Sequence, residues 1–136
     1  MEITNARLIL PDSIERGSLS IRNGRIQKVS KNARSATKAN VECINLRGGF
    51  LAPGFVDIHI HGALGRDTME ADPDAFREIT EFHLKGGTTS LTLTTLSASQ
   101  KDILKTLKAI KPFHNKSMGG SRIVGVHVEG PFINKI

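Results

Sequence analysis

The first fifty residues alternate apolar and polar positions with a period of two, the pattern of strands that cover one face. Leu8, Ile9 and Leu10 form a short strand-like run closed by Pro11-Asp12, and residues 18–22 and 25–29 alternate on either side of Asn23-Gly24. That dipeptide predicts a two-residue hairpin, because a type I′ turn needs positive φ at both central positions. Residues 31–40 are polar and read as a loop, and residues 41–46 as a further strand ended by Gly48-Gly49. Beyond residue 49 the pattern changes. Residues 55–61 read as a strand; Asp72-Pro73 then opens a helix over residues 73–85, with Asp72 as N-cap, Phe76, Ile79, Phe82 and His83 along one side, and Gly86-Gly87 at its end. Residues 88–96 form a Thr-rich strand. Ser99 and Asp102 resemble a capping box for a second helix over residues 100–111, with Ile103, Leu104, Leu107 and Ile110 as its buried stripe and Lys101, Lys105 and Lys108 on its wet side. Pro112 stops that helix, and residues 123–129 make a third strand broken by Gly130-Pro131. The sequence thus divides into a small antiparallel β unit over residues 1–49 and a β-α-β-α-β segment over residues 50–136. Strands alternating with helices predict a parallel sheet with right-handed crossovers.

Length bounds this picture. The chain has 136 residues, one domain or slightly more, whereas a complete (β/α)₈ barrel needs roughly 200 or more. The net charge of +6 is uneven: +5 over residues 1–50, −4 over residues 51–96 and +5 over residues 97–136. The basic residues are scattered through strands and one helix face, without aromatic interleaving, so they read as a solvated surface, not a nucleic-acid footprint. Cys43 is the single cysteine, which excludes a disulfide framework and a Cys-based zinc site and fits a reducing compartment. Residues 1–7 do not read as a signal peptide, and no apolar run approaches the roughly 18 residues of a membrane span. A cytoplasmic setting is the expectation.

Period two places Asp57, His59 and His61 on one strand face, opposite Val56, Ile58 and Ile60, which would pack under helices. Two imidazoles one pleat apart at a strand end suit a metal ion; two ordinary strand histidines are the other reading. On the third strand Val124, Val126 and Val128 share the apolar face and Gly125, His127 and Glu129 the other. Glu129, at the strand's end, can join a site begun by the histidines; alone it would read as a loop-end glutamate. His127 lies one pleat deeper and reads as a supporting or core histidine, not a ligand. His83 and His114 read as surface or helix-end residues. The run Gly86-Gly87-Thr88-Thr89 follows a helix and opens a strand, the reverse of a phosphate loop, and its glycines read as a helix cap. Thr92 and Thr94 read as lining residues with structural hydroxyls. No serine nucleophile elbow is present, and Cys43 has no activating partner.

The run Pro53-Gly54-Phe55-Val56-Asp57-Ile58-His59-Ile60-His61-Gly62 resembles the metal-binding first strand of the amidohydrolase superfamily. The β unit before it looks like the small sandwich those enzymes build. The segment from Gly125 to Asn134, with Glu129-Gly130-Pro131-Phe132 at its centre, is similar to the signature of N-acetylglucosamine-6-phosphate deacetylases, and residues 86–90 share that likeness. The whole chain resembles only the first third of such an enzyme.

The resemblance implies an α/β fold: three strands and two helices of a TIM-type (β/α) barrel, preceded by an antiparallel β-sandwich segment. It implies His59, His61 and Glu129 as ligands of one or two divalent ions, zinc or iron, and hydrolysis of the acetamide of N-acetylglucosamine 6-phosphate to acetate and glucosamine 6-phosphate. Further histidine ligands, the catalytic Asp that serves as general base, and the sugar contacts are expected beyond Ile136, so that no catalytic residue falls in this chain and the chain alone is expected to be inactive. Substrate-binding residues are not identified. The expected partners are the amino-sugar phosphate, a complementing C-terminal segment and, for full-length members, further copies; nucleic acid and membrane are not expected. Two alternatives stand beside this reading: another amidohydrolase of the dihydroorotase or cyclic-amidase kind, and a non-catalytic remnant.

Overall fold

The computed structural model describes residues 1–32 and 41–134, so most of the polar stretch expected to be a loop lies outside the described residues. The chain divides into two compact units, Met1–Pro53 and Gly54–Ile136.

In the first unit, β1 (Glu2–Ile9), β2 (Ile14–Arg22) and β3 (Arg25–Lys31) are antiparallel neighbours, and the turn between the last two has φ of 53° at Asn23 and 69° at Gly24, as a type I′ hairpin requires. Alternation buries Thr4, Ala6 and Leu8 on one face of β1. The other edge of β1 is shared by two short strands, β4 (Cys43–Asn45) against its beginning and β5 (Phe50–Leu51) against its end, and both run parallel to it. The expected antiparallel sandwich segment is therefore corrected: among the described residues this unit is one mixed five-stranded sheet. Alternation decides which face a side chain takes but not the direction of the neighbouring strand.

The second unit is built on a three-stranded parallel sheet ordered β10-β9-β6, from β6 (Phe55–Ile60), β9 (Thr88–Thr94) and β10 (Arg122–His127). A hairpin of β7 (Gly62–Ala63) and β8 (Arg66–Asp67) follows β6, leading into a single 3₁₀ turn over Thr68–Glu70. Helix α1 (Pro73–Lys85) then connects β6 to β9, and α2 (Gln100–Ile110) connects β9 to β10. Both helices start where their caps place them. The Asp72 carboxylate accepts from the Asp74 N–H at 3.3 Å, and the Ser99 hydroxyl accepts from the Asp102 N–H at 3.2 Å. The apolar core joins Ile60, Phe76, Ile79, Leu91, Leu93, Ile110 and Ile123.

Three details depart from the expected burial pattern. Val56 and Ile58 do not pack under a helix; they are 64% and 69% exposed, and only Ile60 of that face is buried. Among the described residues strand β6 pairs with one neighbour, and the core packs over β9 and the end of β6, leaving the rest of its outer face open. In β10 a bulge at Val124 interrupts the pairing, so Ile123 and Val126 reach the core while Val128 is exposed. On α2 the buried positions are Ile103, Thr106 and Ile110, and Leu104 is 45% exposed. Among the described residues no helix is long and apolar enough to cross a membrane.

Candidate metal centre

Strands β6 and β10 are both parallel to β9, so their C-terminal ends lie at the same end of the sheet. His59 stands near the end of β6, His61 just past it, and Glu129 two residues past β10. Their side chains meet. His59 Nε2 lies 3.2 Å from His61 Nε2, and Glu129 Oε2 lies 3.1 Å from the former and 3.3 Å from the latter. The glycine after each run helps to fix this. A Cβ on Gly62 would run into the Arg66 carbonyl as the β7–β8 hairpin folds back, with the Thr68 N–H donating to the His61 carbonyl at 2.7 Å. A Cβ on Gly130 would run into Ser97, and Gly130 has φ of 78°, a value suited to glycine.

Three donor atoms in so tight a triangle cannot all be hydrogen-bonded to one another. A neutral histidine carries one ring proton. If both protons sit on Nε2 and point at Glu129, the two N–H groups face each other across 3.2 Å. If one histidine instead accepts from the other, its Nε2 lone pair also faces the Glu129 carboxylate, acceptor against acceptor, and for His61 the proton moves to Nδ1, a buried atom without a hydrogen-bond partner among the described residues. A cation at the centre resolves the conflict by taking a lone pair from each. Bonds of about 2.0–2.2 Å in a tetrahedral site separate ligand atoms by roughly 3.3–3.6 Å, close to the separations seen here. The donor set of two imidazoles and one carboxylate therefore fits a divalent ion, and of the described residues these three are the group so arranged.

The surrounding residues hold the site in place. The Asp57 carboxylate accepts from the His59 backbone N–H at 3.1 Å. His127 does not join the three donors; its ring packs edge-on against His59, with centroids 4.6 Å apart and planes at 89°. Thr92, Thr94 and Thr95 of the central strand region bond the backbone around the ligands. The sequence marks these threonines as a cluster but gives no sign of their partners. His83 lies partly buried with Nε2 3.4 Å from the Gly62 carbonyl oxygen, and His114 lies 3.1 Å from that of Val124; neither reaches the site. His59, His61 and Glu129 all belong to the second unit.

No family model matches the chain. It is 32% identical over 124 residues to an N-acetylglucosamine-6-phosphate deacetylase of Bacillus subtilis, an alignment covering 89% of this chain and 31% of that one. The crystal structure of the N-acetylglucosamine-6-phosphate deacetylase of Thermotoga maritima superposes with a TM-score of 0.74 at 34% identity, covering 99% of this chain and 33% of that one. A Mycobacterium smegmatis deacetylase variant, solved in complex with N-acetyl-D-glucosamine-6-phosphate, matches with a TM-score of 0.77 at 27% identity over 98% of this chain and 33% of that one. A D-hydantoinase matches less well, with a TM-score of 0.62 at 27% identity. The chain spans about a third of the length of the curated relatives it matches.

Proposed function

We propose that the kinship of this chain with N-acetylglucosamine-6-phosphate deacetylases extends to chemistry, and that it forms the metal-binding strands of such an enzyme. In this reading residues 54–134 are three strands and two helices of a (β/α) barrel, and residues 1–53 a separate β segment. The supporting observation is the convergence of His59 Nε2, His61 Nε2 and Glu129 Oε2 within 3.1–3.3 Å at one end of the parallel sheet, where barrel enzymes place their sites. The reaction is hydrolysis of the acetamide of N-acetylglucosamine 6-phosphate to acetate and glucosamine 6-phosphate. A divalent ion, zinc or iron and one or two in number, supplies Lewis acidity toward the acetyl carbonyl and lowers the pKa of bound water. His59, His61 and Glu129 hold that ion, and Asp57 fixes the backbone of His59. The general base and the sugar contacts fall to the two thirds of the relatives' length that this chain does not span. A cytoplasmic setting and an amino-sugar phosphate partner accompany the reading. The better superposition on deacetylases than on D-hydantoinase favours it over a cyclic amidase.

Zinc and iron(II) titrations of the 136-residue chain, with Glu129→Gln and His59→Ala beside it, test the ligand set. The chain is expected to bind and both variants to lose binding; binding that survives both substitutions overturns the assignment. The chain alone is expected to release negligible acetate from N-acetylglucosamine 6-phosphate. Turnover near the usual enzyme range of roughly 1–10³ per second would show that the base lies within these residues.

A further inference from the structure

We propose that Thr94 and Thr95 are the positioning residues of the metal centre, a pair of buried hydroxyls by which the central strand sets the distance between its two ligand-bearing neighbours. The inference rests on the metal reading of His59, His61 and Glu129. In the order β10-β9-β6 the histidine strand and the glutamate strand are not paired with each other. Apart from the edge-on contact of the His127 ring with His59, what joins the two strands acts through β9.

The β6–β9 ladder is irregular where His59 stands, between the pairs Asp57–Leu91 and Ile60–Leu93. Side chains take over there. The Thr92 hydroxyl donates to the Ile58 carbonyl at 2.6 Å, and the Thr94 hydroxyl accepts from the Ile60 N–H at 3.0 Å. The peptide groups on both sides of His59 are thus held by threonines, and Ile60 is also the link to His61. On the opposite side Thr95 grips the last residue of β10 and the segment just after it. Its N–H donates to the His127 carbonyl at 3.0 Å, and its hydroxyl accepts from the N–H of Glu129 at 3.1 Å. Thr94 and Thr95 have no solvent exposure. Removing the Thr94 hydroxyl would leave the buried Ile60 N–H without this partner, and removing the Thr95 hydroxyl would do the same to the partly buried Glu129 N–H, and unpaired amides away from water are strongly disfavoured. A small rotation of either peptide carries over to the end of a histidine or glutamate side chain. The donors lie 3.1–3.3 Å apart, and metal sites tolerate errors of only about 0.2 Å. Partners of the ligands set affinity for the same reason.

The test uses the full chain, zinc as the affinity probe and cobalt(II) absorption as the report of coordination geometry. Thr94→Val and Thr95→Val keep the side-chain shape and remove the hydroxyl; Thr94→Ser and Thr95→Ser keep the hydroxyl. Thr80→Val is the control for burial alone, since Thr80 is equally buried and its hydroxyl donates to the Arg77 carbonyl within α1. Each valine variant at 94 or 95 should weaken zinc binding about tenfold or more and reduce the four-coordinate cobalt band. The serine variants should bind close to the unsubstituted chain, and Thr80→Val should lower the melting temperature without changing affinity. Folded Thr94→Val and Thr95→Val chains that bind zinc like the unsubstituted one overturn the inference, as does an equal loss in Thr80→Val. Should the valine chains fail to fold, Thr95→Ser against Thr95→Ala differ at that site in the hydroxyl alone, and equal affinities overturn the inference. An unsubstituted chain that binds neither ion overturns the metal reading itself.

Discussion

β9 and β6 lie side by side in one parallel sheet, yet they live in different surroundings. In β9, Leu91 and Leu93 have no exposure and pack with Phe76, Ile79 and Ile110 of the two helices. In β6, Val56 and Ile58 are 64% and 69% exposed, and Ile60 alone reaches that core. The apolar pattern of the two strands is similar; the number of neighbours is not. The strand paired on both sides gives two leucines to a core shared with both connecting helices, while the strand paired on one side gives only Ile60. The two imidazoles of the candidate site stand on the less supported strand and just past its end. This is where hydroxyls of β9 replace the regular backbone ladder.

The contrast breaks most directly by truncation. Leu93→Ala should cost about 2–5 kcal/mol of unfolding free energy, the range for a buried leucine whose cavity cannot collapse. Val56→Ala should change stability by about 0.5 kcal/mol or less, as at an exposed site. Urea unfolding of both variants measures the difference. Equal losses would mean that the outer face of β6 is covered in solution, and the comparison of the two strands would fall.

What the sequence made legible follows the same division. Local signals sufficed for Asp72-Pro73 and Ser99, which start their helices where the caps indicate, and for Asn23-Gly24, whose positive φ values close the expected hairpin. Pleat phase brought His59, His61 and Glu129 to one face, and their meeting follows once β6 and β10 share a direction. Coverage was not legible, because Val56 and Ile58 read like Leu91 and Leu93 until strand order is known. The β7–β8 hairpin was not legible either. Its turn places Leu64 at φ 56° and Gly65 at φ 81°, and leucine gives no hint of a left-handed turn. The bulge at Val124 likewise shifts the buried residue to Ile123 without any change in the alternation of residue types.

An open edge with apolar residues beside it is a place for strand addition or self-association. The outer face of β6 offers Val56 and Ile58 next to an edge that pairs with nothing else among the described residues. Val56→Lys and Ile58→Lys should therefore weaken concentration-dependent self-association of the chain, seen by sedimentation velocity, with stability changed by about 0.5 kcal/mol or less. Lysine at Leu91 should instead prevent folding. If the unsubstituted chain and both edge variants sediment alike at every concentration, the exposed face is not a contact surface.

The smallest effect tests what covers β9. Helix α1 is capped by Asp72, whose carboxyl is held below its usual range, first by the Asp74 N–H, against the opposing pull of burial, and then by Arg66 and the Ala75 N–H. A carboxyl depressed in the folded chain contributes stability that is full above its unfolded pKa of about 3.9 and is lost as pH falls through the lower folded value. Asparagine caps a helix nearly as well but carries no charge, so Asp72→Asn removes the titrating part and keeps the cap. The Arg66 guanidinium retains Glu70 at 3.0 Å and Glu78 at 3.6 Å, which limits the loss. The variant should melt slightly below the unsubstituted chain at pH 6, and the gap should close as the pH is lowered through the acid range. Because α1 packs on β9 and on Ile60 but leaves Val56 and Ile58 open, the same substitution at fixed pH should raise amide exchange at Leu91 and Leu93 more than at Ile58. A gap in melting temperature that stays constant with pH would show that the Asp72 charge contributes nothing to seating α1 over the central strand.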